Sequence, residues 1–387
     1  MGVLSKKNEY LCIWLSMFSL IKALVGRDEF NDVISKTSED AHFPLALTCR
    51  AAHIEVAFIY KNKNKKLKTT YSSLVKSIAL VEWSISLGCM WDPLCVEAAK
   101  CGNLEVIKWA KEKGYPLHSN ICSYAASGGH LEMLKYAHEN GCNWDKRTCA
   151  VAAKEGHLEV LCYAHEQGCP WDELTCYWAV VGGHIDILKY AHEQGCRWDW
   201  RTCWQAALVG NLEVLKYAHE HGCPWDELVC YSAAQGGHLD VLMYAHENGC
   251  QWDEKTCELA AQGGHLEVLM YADENGCPWG EQTCLFAAEG GHLGVLMYAH
   301  ENGCPWDEGT CMFAAQGGHL DVLIYAHEHG CPWDEFTCAS AASNGHFEVL
   351  KYAHEHGCPW DALTSGYAAL KGYNDILKYA RENGCPE

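Results

Sequence analysis

The chain has 387 residues, and its 49% hydrophobic content excludes a largely disordered protein. The formal net charge of −21 is unevenly spread, because residues 1–86 carry 12 Lys and Arg against 8 Asp and Glu, whereas residues 87–387 carry 17 against 42. Such an acidic body repels phosphate backbones, so we expect no nucleic-acid partner and favour a protein partner with a neutral or basic surface.

Residues 11–21, LCIWLSMFSLI, form an apolar run after Lys6 and Lys7. A secretory signal peptide is one interpretation, but no small-residue cleavage site follows. The run is also too short to cross a membrane. We therefore predict an N-terminal packing helix in a cytoplasmic protein without membrane contact. The nucleus is the alternative, because the basic linker KNKNKKLK at 61–68 could serve as an import signal.

The stretch FPLALTCRAAHIEV at 43–56 has two interpretations. It could be a compacted copy of the repeat described next, with Thr48-Cys49 and HIEV run together. Its PLALTCRA run also resembles the core of an F-box, which implies a substrate receptor of a ubiquitin ligase that binds a Skp1-type adaptor. Residues 1–71 are accordingly predicted as an N-terminal helical segment, F-box-like or a degenerate cap, that ends in the basic linker.

A 27-residue repeat occupies most of the remaining chain. Its glycines lie 27 residues apart at 114, 141, 168, 195, 222, 249, 276, 303, 330, 357 and 384. The unit reads W-D-E-x-T-C-x-x-A-A-x-G-G-H-L-E-V-L-K-Y-A-H-E-x-G-C-P. Such a period indicates stacked supersecondary units, each unable to bury its apolar face alone.

Each unit predicts two antiparallel helices. In one copy, Asp172 is the expected N-cap of a helix from about residue 173 to 181, and Gly182-Gly183 ends it. A second helix is expected over about 184–194, with an apolar stripe that includes Ile185 and Leu188. Gly195 should take the left-handed position after it, in a Schellman-type stop closed by Cys196. Trp198 and Cys203 have the spacing of a hydrophobic staple.

The repeat resembles the ankyrin family in Thr148, the Ala152-Ala153 pair, GHLEV at 156–160 and the closing Gly168. This resemblance covers roughly residues 72–387 and implies a helical solenoid that binds proteins. The period of 27 is shorter than the family's usual length of about 33 residues. The β-hairpin between units should therefore be largely lost. Similar shortened arrays are common in large DNA viruses, algae and oomycetes.

Three chemical interpretations of the repeat are weaker. His165, Cys169, Cys176 and His184 include zinc-ligand types, but single copies lose them, and a structural zinc site tolerates no missing ligand. Disulfides between cysteines 7 residues apart would need an oxidising compartment. A Cys/His/Asp set copied at constant period is a fold signature rather than one active site. We therefore expect no catalytic, cofactor-binding or metal-binding residues.

A ladder of histidines follows the same period, late in the second helix of each unit. Its members are His138, His165, His192, His219, His246, His300, His327 and His354. We interpret them as half-buried packing residues. The alternative is that they make the array sensitive to acid.

Positions that vary between repeats are the best candidates for partner binding. Between residues 177 and 231 such positions become aromatic or basic, a composition typical of binding hot spots. The candidates are Tyr177, Trp178, Arg197, Trp200, Arg201, Trp204 and Tyr231. The alternative is that these aromatic side chains only fill gaps between repeats.

Together, these patterns predict an all-α protein with a right-handed, ankyrin-like solenoid of about eleven to twelve units over residues 72–387. Its end units, such as the one from Asp361, are atypical and more polar, as expected of caps. We predict a non-catalytic, monomeric scaffold or adaptor for an unidentified protein. The alternative function is the ubiquitin-ligase substrate receptor.

Overall fold

The computed structural model describes residues 71–86 and 88–387 in full, and the backbone of residues 45–50, 53–59 and 66–67. The chain divides into two compact units, Met1–Arg197 and Trp198–Glu387. The packing helix predicted at 11–21 lies outside the described residues.

Three antiparallel strands precede the helices in the first unit: β1 Leu45–Arg50, β2 His53–Ile59 and β3 Lys66–Leu67. β1 pairs with β2, and β2 pairs with β3. At these three strands the structure differs from the helical segment predicted over residues 1–71. β2 is rich in the β-branched and aromatic residues that favour strands, and only two residues separate the paired Arg50 and His53.

From Tyr71 onward, the described residues of the first unit form helices that follow the 27-residue period. Its helices are α1 Tyr71–Leu74, α2 Ile78–Ser86, α3 Trp91–Lys100, α4 Leu104–Glu112, α5 Ile121–Ser127, α6 Leu131–Glu139, α7 Lys146–Lys154, α8 Leu158–Glu166, α9 Glu173–Gly182 and α10 Ile185–Glu193.

The second unit continues the same alternation. Its helices are α11 Trp200–Leu208, α12 Leu212–Glu220, α13 Glu227–Gly236, α14 Leu239–Glu247, α15 Glu254–Gly263, α16 Leu266–Glu274, α17 Thr283–Glu289, α18 Leu293–Glu301, α19 Glu308–Gly317, α20 Leu320–Glu328, α21 Glu335–Asn344, α22 Phe347–Glu355, α23 Ala362–Lys371 and α24 Asn374–Glu382.

Helices pack in two layers within each unit. The first helix of a repeat contacts the first helix of the next repeat, as α19 contacts α21, and the second helices contact each other likewise, as α18 contacts α20. The two helices of one repeat also contact each other. The predicted array of stacked helical hairpins is thereby confirmed. Over residues 71–86 and 88–387 no strand interrupts it, in agreement with the predicted loss of the hairpin.

Local sequence sets the helix ends. Asp172 caps α9 because its carboxylate accepts the backbone N–H of Leu174. At the end of α8, Gly168 donates to the His165 carbonyl and Cys169 to the Ala164 carbonyl, both at 2.9 Å, which is the predicted Schellman pair.

The core uses small residues in the first helix and aliphatic residues in the second. In α9, Thr175, Cys176 and Ala179 are buried. In α10, Ile187 and Leu188 are buried together with Ala191, whereas Ile185 is half-buried, so the predicted stripe is displaced. Small first-helix residues let neighbouring repeats approach closely, and the larger Val, Ile and Leu fill the space between the layers.

The last hairpin exposes more apolar surface than the polar cap that we predicted. Leu370 at the end of α23 is 78% exposed, and Leu363 and Tyr367 on the same helix are 40% and 39% exposed.

Candidate protein-binding surface

Tyr177 and Trp178 lie side by side in the middle of α9, within the first unit. Both are half-buried, and their rings make an edge contact at 5.2 Å between centroids. The Lys154 ammonium lies over the Trp178 ring at 5.4 Å. They flank the buried Cys176 and Ala179, so the core below holds them in place while one side reaches the surface.

Trp200, Arg201 and Trp204 lie on α11, within the second unit. Trp200 is 43% exposed, and its ring centroid is 6.2 Å from that of the half-buried Trp204. Arg201 pairs with Asp199 through Nη2 and Oδ2 at 2.6 Å, and Asp199 also caps the helix. The guanidinium thus supports the helix start and is less available to a partner than the sequence suggests.

Arg197 and Tyr231 have different surroundings. Arg197 is exposed at the end of the first unit. Tyr231 is half-buried on α13, where its hydroxyl donates to Asp253 Oδ2 at 2.6 Å and Lys255 lies over its ring at 5.9 Å. Burial and this hydrogen bond raise the pKa of Tyr231. Tyr231 therefore joins two repeats, which fits the gap-filling interpretation better than partner binding.

The histidine ladder packs against the tryptophans of the repeat. Seven imidazoles stack on the indole six residues later, with centroids 3.6–3.8 Å apart. Trp171 thus lies on His165, a contact that the predicted hydrophobic staple with the second cysteine did not include. The chain reverses between helix and indole, which brings the two flat rings face to face.

A tyrosine of the following repeat completes this row. The His246 ring Nδ1 lies 2.9 Å from the Tyr271 hydroxyl. Asp273 replaces the histidine in the next repeat, and there the Tyr298 hydroxyl donates to Asp273 Oδ2 at 2.9 Å. Either residue can therefore supply a polar partner for the tyrosine of the following repeat.

We expect the second unit to unfold at a lower temperature at about pH 5.5 than at about pH 7.5. Burial, then the facing His329 and His356, lower the pKa of His300 and His327, while Glu301 and Glu328 oppose the shift. The folded state therefore binds fewer protons than the unfolded chain. Stability is complete above the unfolded pKa of about 6.5 and falls as the pH drops through it.

Thermal melts followed by circular dichroism test this expectation. The variant H329N/H356N removes the facing imidazoles and should show a smaller pH dependence. A melting temperature that stays constant across this pH range in the original chain would contradict it.

A second row of histidines escaped the sequence-based prediction. These residues occupy the N-cap position of most second helices, and their Nε2 typically donates to a backbone carbonyl 30 residues earlier, as His292 does to Gln262 at 3.2 Å. The same ring covers a left-handed glycine of the preceding repeat, such as Gly264. The G-G-H triplet carries the signal, because both its glycine and its histidine recur with the repeat.

The cysteines pair at a spacing that the sequence did not suggest. We considered cysteines 7 residues apart, whereas the thiols that interact are 20 apart, such as Cys230 with Cys250. The Cys250 thiol in turn donates to the Asp226 carbonyl at 3.1 Å. The hydrogen bond to Cys250 and burial raise the pKa of Cys230, so it stays protonated. All described cysteines are free thiols.

The residue set weighed as a zinc site is divided among these contacts. His165 stacks on Trp171, the Cys169 thiol donates to the Asp145 carbonyl at 3.3 Å, and His184 lies against Gly156. Within the described residues, no group of three or more His, Cys, Asp or Glu side chains is arranged to hold a metal ion. Nor does any helix in this part of the chain have the length and apolar character to span a membrane.

No protein-family model matches the chain, and no curated protein matches it. Among solved structures, it is similar to the ankyrin repeat domain of human ASB11, known from a crystal structure. That similarity has 18% identity and a TM-score of 0.36, and covers 41% of this chain and 84% of that chain. The helical array is defined by its own helix bounds, caps and contacts.

Proposed function

We propose that this chain is a non-catalytic scaffold or adaptor that binds another protein through aromatic clusters on its first helices. The observation that carries the proposal is the pair Trp200 and Trp204, an exposed and a half-buried indole side by side on α11. Exposed tryptophans next to rigid packed elements are typical of binding hot spots. The Tyr177 and Trp178 pair on α9 is a second cluster of the same kind.

Electrostatics supports a partner with a neutral or basic surface. The second unit contains 28 Asp and Glu against 7 Lys and Arg. Such a field would speed association with a basic protein and slow it with an acidic one. The cytoplasmic location and the monomeric state remain predictions from the sequence.

Cross-linking followed by affinity purification and mass spectrometry tests the proposal. The variants W200A/W204A and Y177A/W178A should each lose cross-linked partners that the original chain retains, by about tenfold or more, because truncated hot spots cost at least about 2 kcal/mol. Phe336, also on a first helix and 48% exposed, provides the matched control F336A.

The proposal fails if both double variants capture the same partners as the original chain at equal yield. Far-ultraviolet circular dichroism of each variant confirms that the helices persist, since neither cluster belongs to the fully buried core.

A further inference from the structure

A long part of the second unit lacks both lysine and arginine. Residues 256–350 contain 14 Asp and Glu and neither Lys nor Arg. Three complete second helices, α16, α18 and α20, fall within this stretch, and α14 just before it also lacks Lys and Arg. Any ammonium or guanidinium group bound to the surface of these helices must therefore come from elsewhere in the chain or from another molecule.

Other repeats hold a cation of their own at a defined place. Lys135 on α6 lies with its ammonium 5.7 Å from the ring centroid of Tyr163 in the next repeat. The same ammonium forms an ion pair with Glu132, one helical turn earlier, at 2.8 Å. We call this pair of groups, the aromatic ring and the carboxylate, a cation socket.

The ring contact of this socket recurs at two other equivalent lysines. Lys108 lies 5.5 Å from the Tyr136 ring, and Lys216 lies 5.4 Å from the Tyr244 ring. These three distances differ by only a few tenths of an ångström. The stacking of the repeats thus places an ammonium over the tyrosine of the following repeat.

Four consecutive second helices have lost this lysine. The residues that replace it are Met243, Met270, Met297 and Ile324. Met243 and Met297 are each 37% exposed, so the position still faces solvent. The tyrosines that follow them are Tyr271, Tyr298, Tyr325 and Tyr352, and within the described residues no Lys ammonium lies over their rings.

The acidic half of the socket remains in three of these repeats. Asp240, Glu267 and Asp321 stand where Glu132 stands in its own repeat, and all three are exposed. A second carboxylate lies near each ring, because Glu247, Glu274 and Glu328 add to the effect of burial in raising the pKa of Tyr271, Tyr298 and Tyr352. Three sockets therefore keep the ring and the carboxylate while they lack the resident ammonium.

We propose that the outer face of α14, α16 and α20, with α18 between them, binds an extended lysine-rich segment of a partner protein. The partner's lysines would occupy the places that resident lysines occupy in other repeats. The inference rests on the proposed protein-binding function but uses the second helices rather than the aromatic clusters of the first.

Geometry narrows the form of the partner segment. Packed helices lie about 8–10 Å apart, so neighbouring sockets repeat at that distance. A polyproline II segment rises about 3.1 Å per residue and has three residues per turn, which places every third side chain on one face about 9 Å apart. A segment with a lysine at every third residue matches this spacing.

A binding experiment on the full chain tests the proposal. The probe is a fluorescein-labelled peptide of five Lys-Pro-Pro triplets, measured by fluorescence anisotropy. The variant M243K/M270K/I324K fills the three sockets with the residue that other repeats carry, so its fold should persist. We expect its affinity for the peptide to fall by about tenfold or more, since each cation–aromatic contact contributes at least about 0.5–1 kcal/mol.

A matched control lies eight residues earlier in the same three repeats. The variant Q235K/Q262K/Q316K adds the same charge at exposed ends of first helices, and its affinity should fall by less than about threefold. Equal losses of peptide affinity in the two variants would mean that charge alone attracts the peptide. That result would contradict the proposal that the sockets bind its lysines. Absence of peptide binding by the original chain would overturn the proposal as well.

The two functional proposals can fail separately. Partner capture that depends on Trp200 and Trp204 should survive in M243K/M270K/I324K if the first-helix cluster acts independently. A negative peptide result together with normal cross-linked partners would reject the sockets and leave the proposed function intact.

Discussion

The substitution Gly264→Ala should lower the free energy of unfolding by about 3–5 kcal/mol, whereas Gly249→Ala should lower it by only about 1–2 kcal/mol. Both glycines have a positive φ, +74° and +82°, so alanine is strained at either position. A Cβ at Gly264 would also lie 2.5 Å from His292 Nδ1, whereas at Gly249 it would meet open space. Displacing the ring also disturbs the hydrogen bond from His292 to the Gln262 carbonyl.

Urea unfolding followed by circular dichroism measures the difference between these two variants. The double variant G264A/H292A removes the ring and should recover part of the loss, because the steric conflict disappears. Equal destabilisation by Gly264→Ala and Gly249→Ala would show that backbone strain alone accounts for the requirement for glycine at position 264. The contact with His292 would then add nothing to that requirement.

Gly280→Asp should destabilise the chain by about 1–3 kcal/mol, although it restores the residue that most repeats have at this position. Gly280 lies three residues before the start of α17, and its α-carbon faces the Glu258 carboxylate. Glu258 Oε1 also accepts the Gln282 backbone N–H at 3.4 Å. A new aspartate would meet this half-buried carboxylate, whose pKa burial raises. Size and like charge both oppose it.

The sign should reverse when Glu258 is removed. In the background E258A, Gly280→Asp should stabilise the chain by about 0.5–2 kcal/mol, because the aspartate can then cap the helix as Asp307 does for α19. A double-mutant cycle measured by urea unfolding gives both values. The same sign for Gly280→Asp in both backgrounds would show that Glu258 does not substitute for the missing cap.

Local chemistry explains why the helices could be predicted from the sequence. The Asp N-caps, the left-handed glycines and the short period each act over a few residues, and the structure confirms them in α9 and α8. The strands β1 to β3 lie outside the repeat, where no such punctuation exists. The amino-acid composition of these short segments does not by itself distinguish a strand from a helix.

Contacts between repeats could not be derived in the same way. A pairing of cysteines 20 residues apart, or of a histidine with a carbonyl 30 residues earlier, depends on how one hairpin stacks on the next. Sequence spacing within a unit does not give that stacking. For the same reason, the sequence shows that Met243 replaces a lysine but does not show what that lysine contacts. The structure shows the contact, because the equivalent Lys216 lies over the ring of Tyr244.

The candidate site illustrates a similar limit. Variation between repeats correctly marked Trp200 as an outward-facing residue, which is 43% exposed. The sequence could not show that Arg201 is paired with Asp199, or that Tyr231 donates to Asp253. A residue that varies between repeats can contact either another residue of the same chain or a partner protein. Only the structure distinguishes these two roles.

His292 contacts the preceding repeat through a hydrogen bond and through Gly264, and this arrangement affects how such a chain can evolve. In most repeats, a histidine contacts the hairpin that precedes it and a glycine leaves room for the histidine that follows, as Gly264 does for His292. A tandem duplication of one 27-residue block therefore creates a junction in which donor and acceptor already face each other. Duplication or deletion of a repeat can therefore lengthen or shorten the array without requiring a new kind of contact between repeats. Selection can then act on the outward-facing residues.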